Sequence, residues 1–302
     1  MVFTPDTGGF GLSLMTQLQS SPSSPQNNDP FGANNRNDLG DTLLTSHFSN
    51  LSIPGDRGPV ILDIQSLTFA YPGHPPILDE LTFSVSTGEK IGVIGPNGAG
   101  KTSLFMSICG ILPLTAGSIS LFGQAVVPGD FRPELGLVFQ NPDDQLFSAT
   151  VAADVAFGPE NMGLAPDEVQ ARTEAALRLT GMLGHQHRVP HHLSGGEKRM
   201  VAIASVLSML PEIILYDEPS ANLDLRARRR LIQFLQTSQE TMLISSHDLE
   251  FLLEVCDRVL LLDEGHIIAD GIPQMIMGNA DLMLAHGLEK PHSLIPHRHL
   301  NT

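Results

Sequence analysis

The apolar run KIGVI at Lys90–Ile94 leads straight into GPNGAGKTS at Gly95–Ser103, and that into the apolar stretch LFMSICGIL. Glycine has the most backbone freedom to lose on folding and weakens strands and helices alike. Three glycines between two such segments therefore mark a place where side chains would obstruct something. The spacing fits G-x-x-x-x-G-K-[ST], and it falls where that pattern has meaning, after an apolar strand and at the start of a helix. Gly95, Pro96, Asn97, Gly98, Ala99 and Gly100, with Lys101, Thr102 and Ser103 opening the helix, offer backbone N–H groups and a helix N-terminus to phosphate. Lys101 is placed to reach the β- and γ-phosphates, and the Thr102 hydroxyl to bind Mg²⁺. The ligand implied is a nucleoside triphosphate.

Elsewhere strands alternate with helices. VILDIQSLTFAY, ELTFSVS and SISLFG read as strands, and Leu104, Phe105, Ile108, Ile111 and Leu112 follow helical spacing. Then come a helix in EKRMVAIASVLSML, a strand in IILYDE, a helix through LRARRRLIQFL, a strand in TMLISS and a helix in DLEFLLEVC. RVLLLDEG and HIIADG close as a hairpin. This order predicts an α/β fold with a mostly parallel sheet core and a small N-terminal antiparallel β-subdomain. Residues 1–58, with QSSPSSPQNNDPFGANNRND, have the composition of a disordered low-complexity extension. FGLSLMTQL near its start reads as a short docking helix. The main domain is expected over 59–285, with a flexible histidine-containing tail over 286–302.

A phosphate loop serves kinases, GTPases and motor ATPases alike, so other motifs decide the class. Asp217 and Glu218 end the apolar strand IILYDE, where adjacent carboxylates are costly without a cation or proton nearby. Beside a triphosphate the first suits the Mg²⁺ shell and the second a base for the attacking water. HLSGGEKRM puts Ser194, Gly195 and Gly196 at another helix start, a second anion site. A γ-phosphate already cradled by the first loop has no need of it. Leu193–Glu197 are therefore expected to serve a nucleotide held by another copy.

LSGGE before a helix, a strand ending in DEPS, then ANLD, and His247 after TMLISS together resemble the ATP-binding-cassette family, over about Val60–Gly271. The resemblance implies a P-loop NTPase with the ABC-ATPase fold, a helical signature subdomain over about 141–205, and ATP and Mg²⁺ as ligands. It makes Gly95–Thr102 the Walker A loop and Gln140, ending LGLVFQ, a contact to Mg²⁺ and water. Asp217 becomes a metal ligand with Thr102 and Gln140, and Glu218 the catalytic base. His247 polarises the γ-phosphate, Ala221–Asp224 form the D-loop, and Tyr71 in FAYPG stacks on adenine. Ser194, Gly195, Gly196 and Glu197 form the signature that meets the opposite protomer's γ-phosphate. Glu197 stands where many members have Gln, and Ser220 where many have Thr; neither change removes a ligand. The implied cycle is ATP-driven closure of a homo- or heterodimer around two nucleotides.

After Gln140, QNPDDQLFSATVAADVAFGPENMGL is similar to the same region of energy-coupling-factor ATPases of the cobalt, nickel and vitamin uptake type. This likeness implies docking on a transmembrane coupling subunit, with Leu146, Phe147 and Val151 as apolar contacts and a substrate-binding membrane component beyond. It implies a peripheral place on the cytoplasmic face of the cell membrane. It favours cobalt or nickel as the solute, with a vitamin as the alternative.

The net charge of −16, of which the five Asp and two Arg of Met1–Gly58 carry a small part, argues against nucleic acid as a partner. Cys109 and Cys256 are expected as buried free thiols of a reducing compartment. No apolar run approaches the ~18–20 residues of a membrane span, and MVFTPDTGGFG lacks the basic start of a secretory signal. His286, His292, His297 and His299 near the end sit in a loose tail without a preorganised metal cage, and His185, His187, His191 and His192 before LSGGE read as ordinary surface histidines. Arg226–Arg230, RARRR, reads as a solvated helix face. Lys101 and Ser194 are 93 residues apart without sustained heptads between them, unlike the coiled-coil cassette ATPases of DNA repair. One Walker set argues against a tandem translation cassette, and a small-molecule kinase has no use for LSGGE or ANLD.

Overall fold

The computed structural model describes residues 58–295 of the 302-residue chain. The extension read over 1–58, its docking helix, His297 and His299 lie outside the described residues, Gly58 excepted.

Two sheets carry the fold. β1 (Val60–Phe69) pairs antiparallel with β2 (Leu78–Ser86) and with β4 (Ala116–Leu121), and β5 (Gln124–Ala125) completes the order β2-β1-β4-β5. The six-stranded sheet combines β3 (Lys90–Ile94), β6 (Leu135–Val138), β7 (Ile213–Asp217), β8 (Thr241–Ser245), β9 (Arg258–Asp263) and β10 (His266–Gly271), in the order β10-β9-β3-β8-β7-β6. Every neighbouring pair in it is parallel except β9 with β10. The expected parallel core, antiparallel subdomain and closing hairpin are all present.

β7 and β8 are buried at every residue, which is why they read as continuous apolar runs: both faces of the sheet are covered. Alternate residues of β7 go to opposite sides. Ile213 and Leu215 join Leu62, Phe83, Ile91 and Phe105 under the antiparallel sheet, whereas Ile214 and Tyr216 join Val201, Ile203, Ile244 and Phe251. The helices are α1 (Lys101–Ile108), α2 (Val151–Asn161), α3 (Pro166–Leu179), α4 (Gly195–Leu207), α5 (Leu225–Thr237), α6 (Leu249–Val255), α7 (Pro273–Gly278) and α8 (Ala280–Ala285). Side chains of Thr150, Ser194, Asp224, Asp248 and Asn279 cap α2, α4, α5, α6 and α8.

Several expectations need correction. Leu146 is 2% exposed and Val151 fully buried, both within the core; of the three proposed docking contacts only Phe147, 65% exposed, is at the surface. On the Arg226–Arg230 face, Arg226, Arg229 and Arg230 are exposed as expected, and Arg228 is the partly buried exception. Arg228 makes two bonds to Asp248, at 2.5 and 3.0 Å, and Arg229 bonds Glu254 at 2.6 Å. The chain also stays attached beyond Ala285: His286 Nδ1 lies 2.8 Å from Asp263, and Ser293 donates twice to Glu250. Both cysteines are free thiols, and burial pushes that of Cys109 up to about 12. Among the described residues no helix is long and apolar enough to cross a membrane, and no group of three or more His, Cys, Asp or Glu is arranged for a metal.

Candidate functional site

In an open parallel sheet the natural binding crevice lies beyond the carboxyl ends of the strands. Here β3 delivers Gly95, β7 delivers Asp217 and Glu218, β8 leads to His247, and β6 leads to Gln140. A Cβ on Gly95 (φ 153°) would stand 1.9 Å from the Leu262 carbonyl oxygen, so only glycine lets the chain leave β3 beside β9. Asn97, Gly98, Ala99, Gly100, Lys101, Thr102, Ser103, Gln140, Asp217, Glu218 and His247 all line one cleft of about 290 Å³. A larger hollow of about 500 Å³, between α2 and α3, contains none of them.

Lys101 is buried. Its Nζ donates to the carbonyls of Gly95 at 2.8 Å and Pro96 at 3.0 Å, and lies 3.5 Å from His247 Nε2. Burial lowers its pKa, while the charges of Glu218 and Asp217 oppose that shift. Asp217 is gripped on both oxygens: Thr102 Oγ1 donates at 2.8 Å and Ser245 Oγ at 2.6 Å. Ser245 Oγ also accepts from the Glu218 amide at 3.0 Å, so one hydroxyl joins the two acids. Glu218 takes a left-handed backbone, φ 46°, a strain on the order of 1–3 kcal/mol for a residue with a side chain. Its Oε2 accepts from the His247 amide at 3.1 Å. Its Oε1 is buried and makes no hydrogen bond, with His247 Nε2 at 3.2 Å. A carboxylate left short of donors in this cleft fits a site awaiting a polar ligand.

The Thr102 hydroxyl, the Asp217 carboxylate and Gln140 on the same wall form the hard oxygen donor set that Mg²⁺ takes. The glycine loop and Lys101 fit a triphosphate. The chemistry of the donors therefore matches both groups.

Ser194, Gly195, Gly196 and Glu197 are not in this cleft. They form the N-terminus of α4, where Ser194 caps the helix and Glu197 answers it in a reciprocal capping box. Glu197 Oε2 accepts from Ser194 N at 2.8 Å and Ser194 Oγ at 2.7 Å, and Oε1 lies 3.2 Å from His185 Nε2. The Ser194 bonds foremost hold the Glu197 carboxyl below the usual range. Gly196 is pressed against α5: a Cβ there would sit 2.6 Å from that of Ala227. Tyr71 is not among the cleft residues either; it is 45% exposed and meets Phe69 edge-on at 5.0 Å.

Two contributors were not singled out from sequence. Ile77 lines the cleft, with no signal beyond an ordinary apolar residue before β2. Ser245 is the buried link between the acids; its place at the end of TMLISS, beside the strand that ends in Asp217, was the available clue.

The comparisons agree with this architecture. Residues 78–221 match the family model described as ABC transporter. The chain is 55% identical over 236 residues to a protein of Synechocystis sp. described as an ABC transporter ATP-binding protein, covering 78% of this chain and 83% of that one. It is 44% identical to the energy-coupling factor transporter ATP-binding protein EcfA of Methanothermobacter thermautotrophicus, covering 77% and 78%. The solved structure of CbiO1 from Clostridium perfringens, described as part of the ABC transporter complex CbiONQ, aligns with a TM-score of 0.66 and 33% identity over 75% of this chain and 94% of that one. The chain belongs to the ABC transporter ATP-binding family. It has the ABC-ATPase fold and is an ATPase whose hydrolysis is coupled to transport.

Proposed function

We propose that this chain is the ATP-binding and ATP-hydrolysing subunit of an energy-coupling-factor type import complex, working as a homo- or heterodimer around two ATP. The observation that carries the reading is the separation of two anion sites. The cleft of Lys101, Thr102, Asp217 and Glu218 is one, and the α4 N-terminus at Ser194 is another outside it. Each is half of a clamp, completed by the other half of a second cassette.

In this reading Gly95–Ser103 cradle the phosphates, and Lys101 supplies positive charge. Thr102, Asp217 and Gln140 would hold Mg²⁺, which when bound supplies charge stabilisation to phosphate oxygens. Glu218 takes a proton from the attacking water, and His247, held to it through its amide, orients toward the γ-phosphate. Tyr71 stacks on adenine. Catalysis is mostly positioning and electrostatics.

Support for the import complex comes from the similarity to EcfA and CbiO1 and from the exposed Phe147–Phe157 pair, with ring centroids 4.9 Å apart. That pair suits an apolar contact with a transmembrane coupling subunit; in this reading the chain sits peripherally on the cytoplasmic face of the membrane beside a substrate-binding component. Cobalt or nickel ion is the favoured solute, with a vitamin as the alternative. The test is E218Q with ATP and Mg²⁺ in size-exclusion chromatography with light scattering. A nucleotide-dependent dimer is expected. A strict monomer, alone and beside its native cassette partner, refutes the clamp.

A further inference from the structure

Arg199, on α4, is the largest fully buried side chain among the described residues, 2% exposed. Its Nη1 donates to the Phe139 carbonyl and its Nη2 to the Gln140 carbonyl, each at 2.5 Å. Its Nε has no partner, and no carboxylate lies within ion-pair distance among the described residues. Burial pushes the guanidinium down to about 10, opposed by the charge of Asp217. A buried cation held only by carbonyls is expensive, and an apolar side chain would fill the same space more cheaply. Stability does not explain this arginine, but its geometry does. A planar fork holds two successive carbonyls in one fixed relative orientation, which an ammonium on a flexible stem does not impose.

The same segment is fastened to α4 at two further points. Phe139 N donates to Gln145 Oε1 at 3.2 Å, and Gln145 Nε2 donates back to Ala202 O at 2.8 Å and Ser205 Oγ at 2.9 Å. Lys198 Nζ bonds Asp143 at 2.6 Å. Gln140 thus leaves β6 on a backbone whose carbonyls and amide are both anchored to one helix. About 7.5 Å along that helix, at about 1.5 Å per residue, is Ser194 at its N-terminus.

We propose that Arg199 is a positioning residue that fixes Gln140 in the cleft, and through α4 locks it to the signature end that serves the second nucleotide. The role of Gln140 rests on the reading above; the clamp itself does not. Nothing that Arg199 touches is substrate, so its effect is on placement rather than on chemistry.

The experiment uses the full chain in four variants: R199M, R199K, Q140A and R199M/Q140A. Hydrogen exchange of residues 139–146 in the ATP-free protein is compared with that of 201–207 inside α4. R199M should speed exchange at 139–146 by about tenfold or more while α4 stays protected. Its kcat should fall about tenfold with KM for MgATP within twofold, and the double variant should be no slower than Q140A. Unchanged protection at 139–146 overturns the proposal, and so do losses that multiply in the double variant. If R199M fails to fold, R199K decides: it keeps the charge but loses the rigid fork that orients both carbonyls, so the same segment must loosen with the melting temperature little changed. A Q140A variant that hydrolyses normally would remove Gln140 from catalysis, while the exchange result would still judge the clamp.

Discussion

Replacing Ser245 with alanine tests the hydroxyl that joins the two acids. Ser245 is fully buried, donates to Asp217 at 2.6 Å and accepts from the Glu218 amide at 3.0 Å. The change leaves hardly any cavity, so packing loss is small. What goes is a hydrogen bond to a buried charged group, a cost of about 1.5–3 kcal/mol. For a domain of this size each kcal/mol moves the melting temperature by about 2–4 °C, so S245A should melt about 3–12 °C lower. Asp217 then keeps only Thr102, and a carboxylate free to shift by even a fraction of an ångström should slow hydrolysis about tenfold or more. The assay is urea unfolding of S245A in the wild-type and in the D217N background, beside steady-state hydrolysis. The cost of S245A should shrink in the D217N background, because the bond to charge is already gone. Loss below about 0.5 kcal/mol with normal hydrolysis, or equal loss in both backgrounds, refutes the argument; that threshold is the usual limit of additivity.

Glu240 gives a pH signature. Burial foremost raises its pKa, opposed by backbone hydrogen bonds and the Lys90 charge. The folded chain then binds more protons than the unfolded one, so this group's contribution falls as pH rises from its unfolded value through its folded value. E240Q should gain on wild type in urea midpoints as pH rises above the ordinary glutamate range; parallel curves would count against this. G95A should fail to fold or lose about 3 kcal/mol or more, since its Cβ would meet the Leu262 carbonyl at 1.9 Å in a backbone region that side chains avoid. F147S should leave melting and basal hydrolysis unchanged but weaken recovery with membranes, whereas L146S, in the core, should lower the melting temperature sharply.

The catalytic half of the fold was legible because phosphate binding demands particular residues at particular spacing, in a strand–loop–helix setting that local pattern reveals. The middle of the chain was not. β6 is only four residues long and includes Gly136, where a Cβ would stand 2.3 Å from Val206 Cγ1; close packing against α4 requires the glycine that makes the strand hard to see. α2 contains Gly158 and Pro159, both of which argue locally against a helix. A Cβ at Gly158 would meet Met209 at 2.6 Å, so tertiary contact again overrides propensity. Without α2 in hand, Leu146 and Val151 looked like surface residues. Arg228 was taken as one charge in a basic run because its partner Asp248 lies twenty residues ahead, across a strand.

The capping box at Ser194 has an energetic corollary. In the free chain this hydroxyl already donates to Glu197 at 2.7 Å. On the proposed clamp, meeting a phosphate from another cassette would be an exchange of acceptors, with little net hydrogen bonding to win, and a carboxylate stands on the doorstep. Discrimination between tri- and diphosphate would then fall to charge balance at this corner, where His185 is the nearest counterweight, rather than to the serine alone.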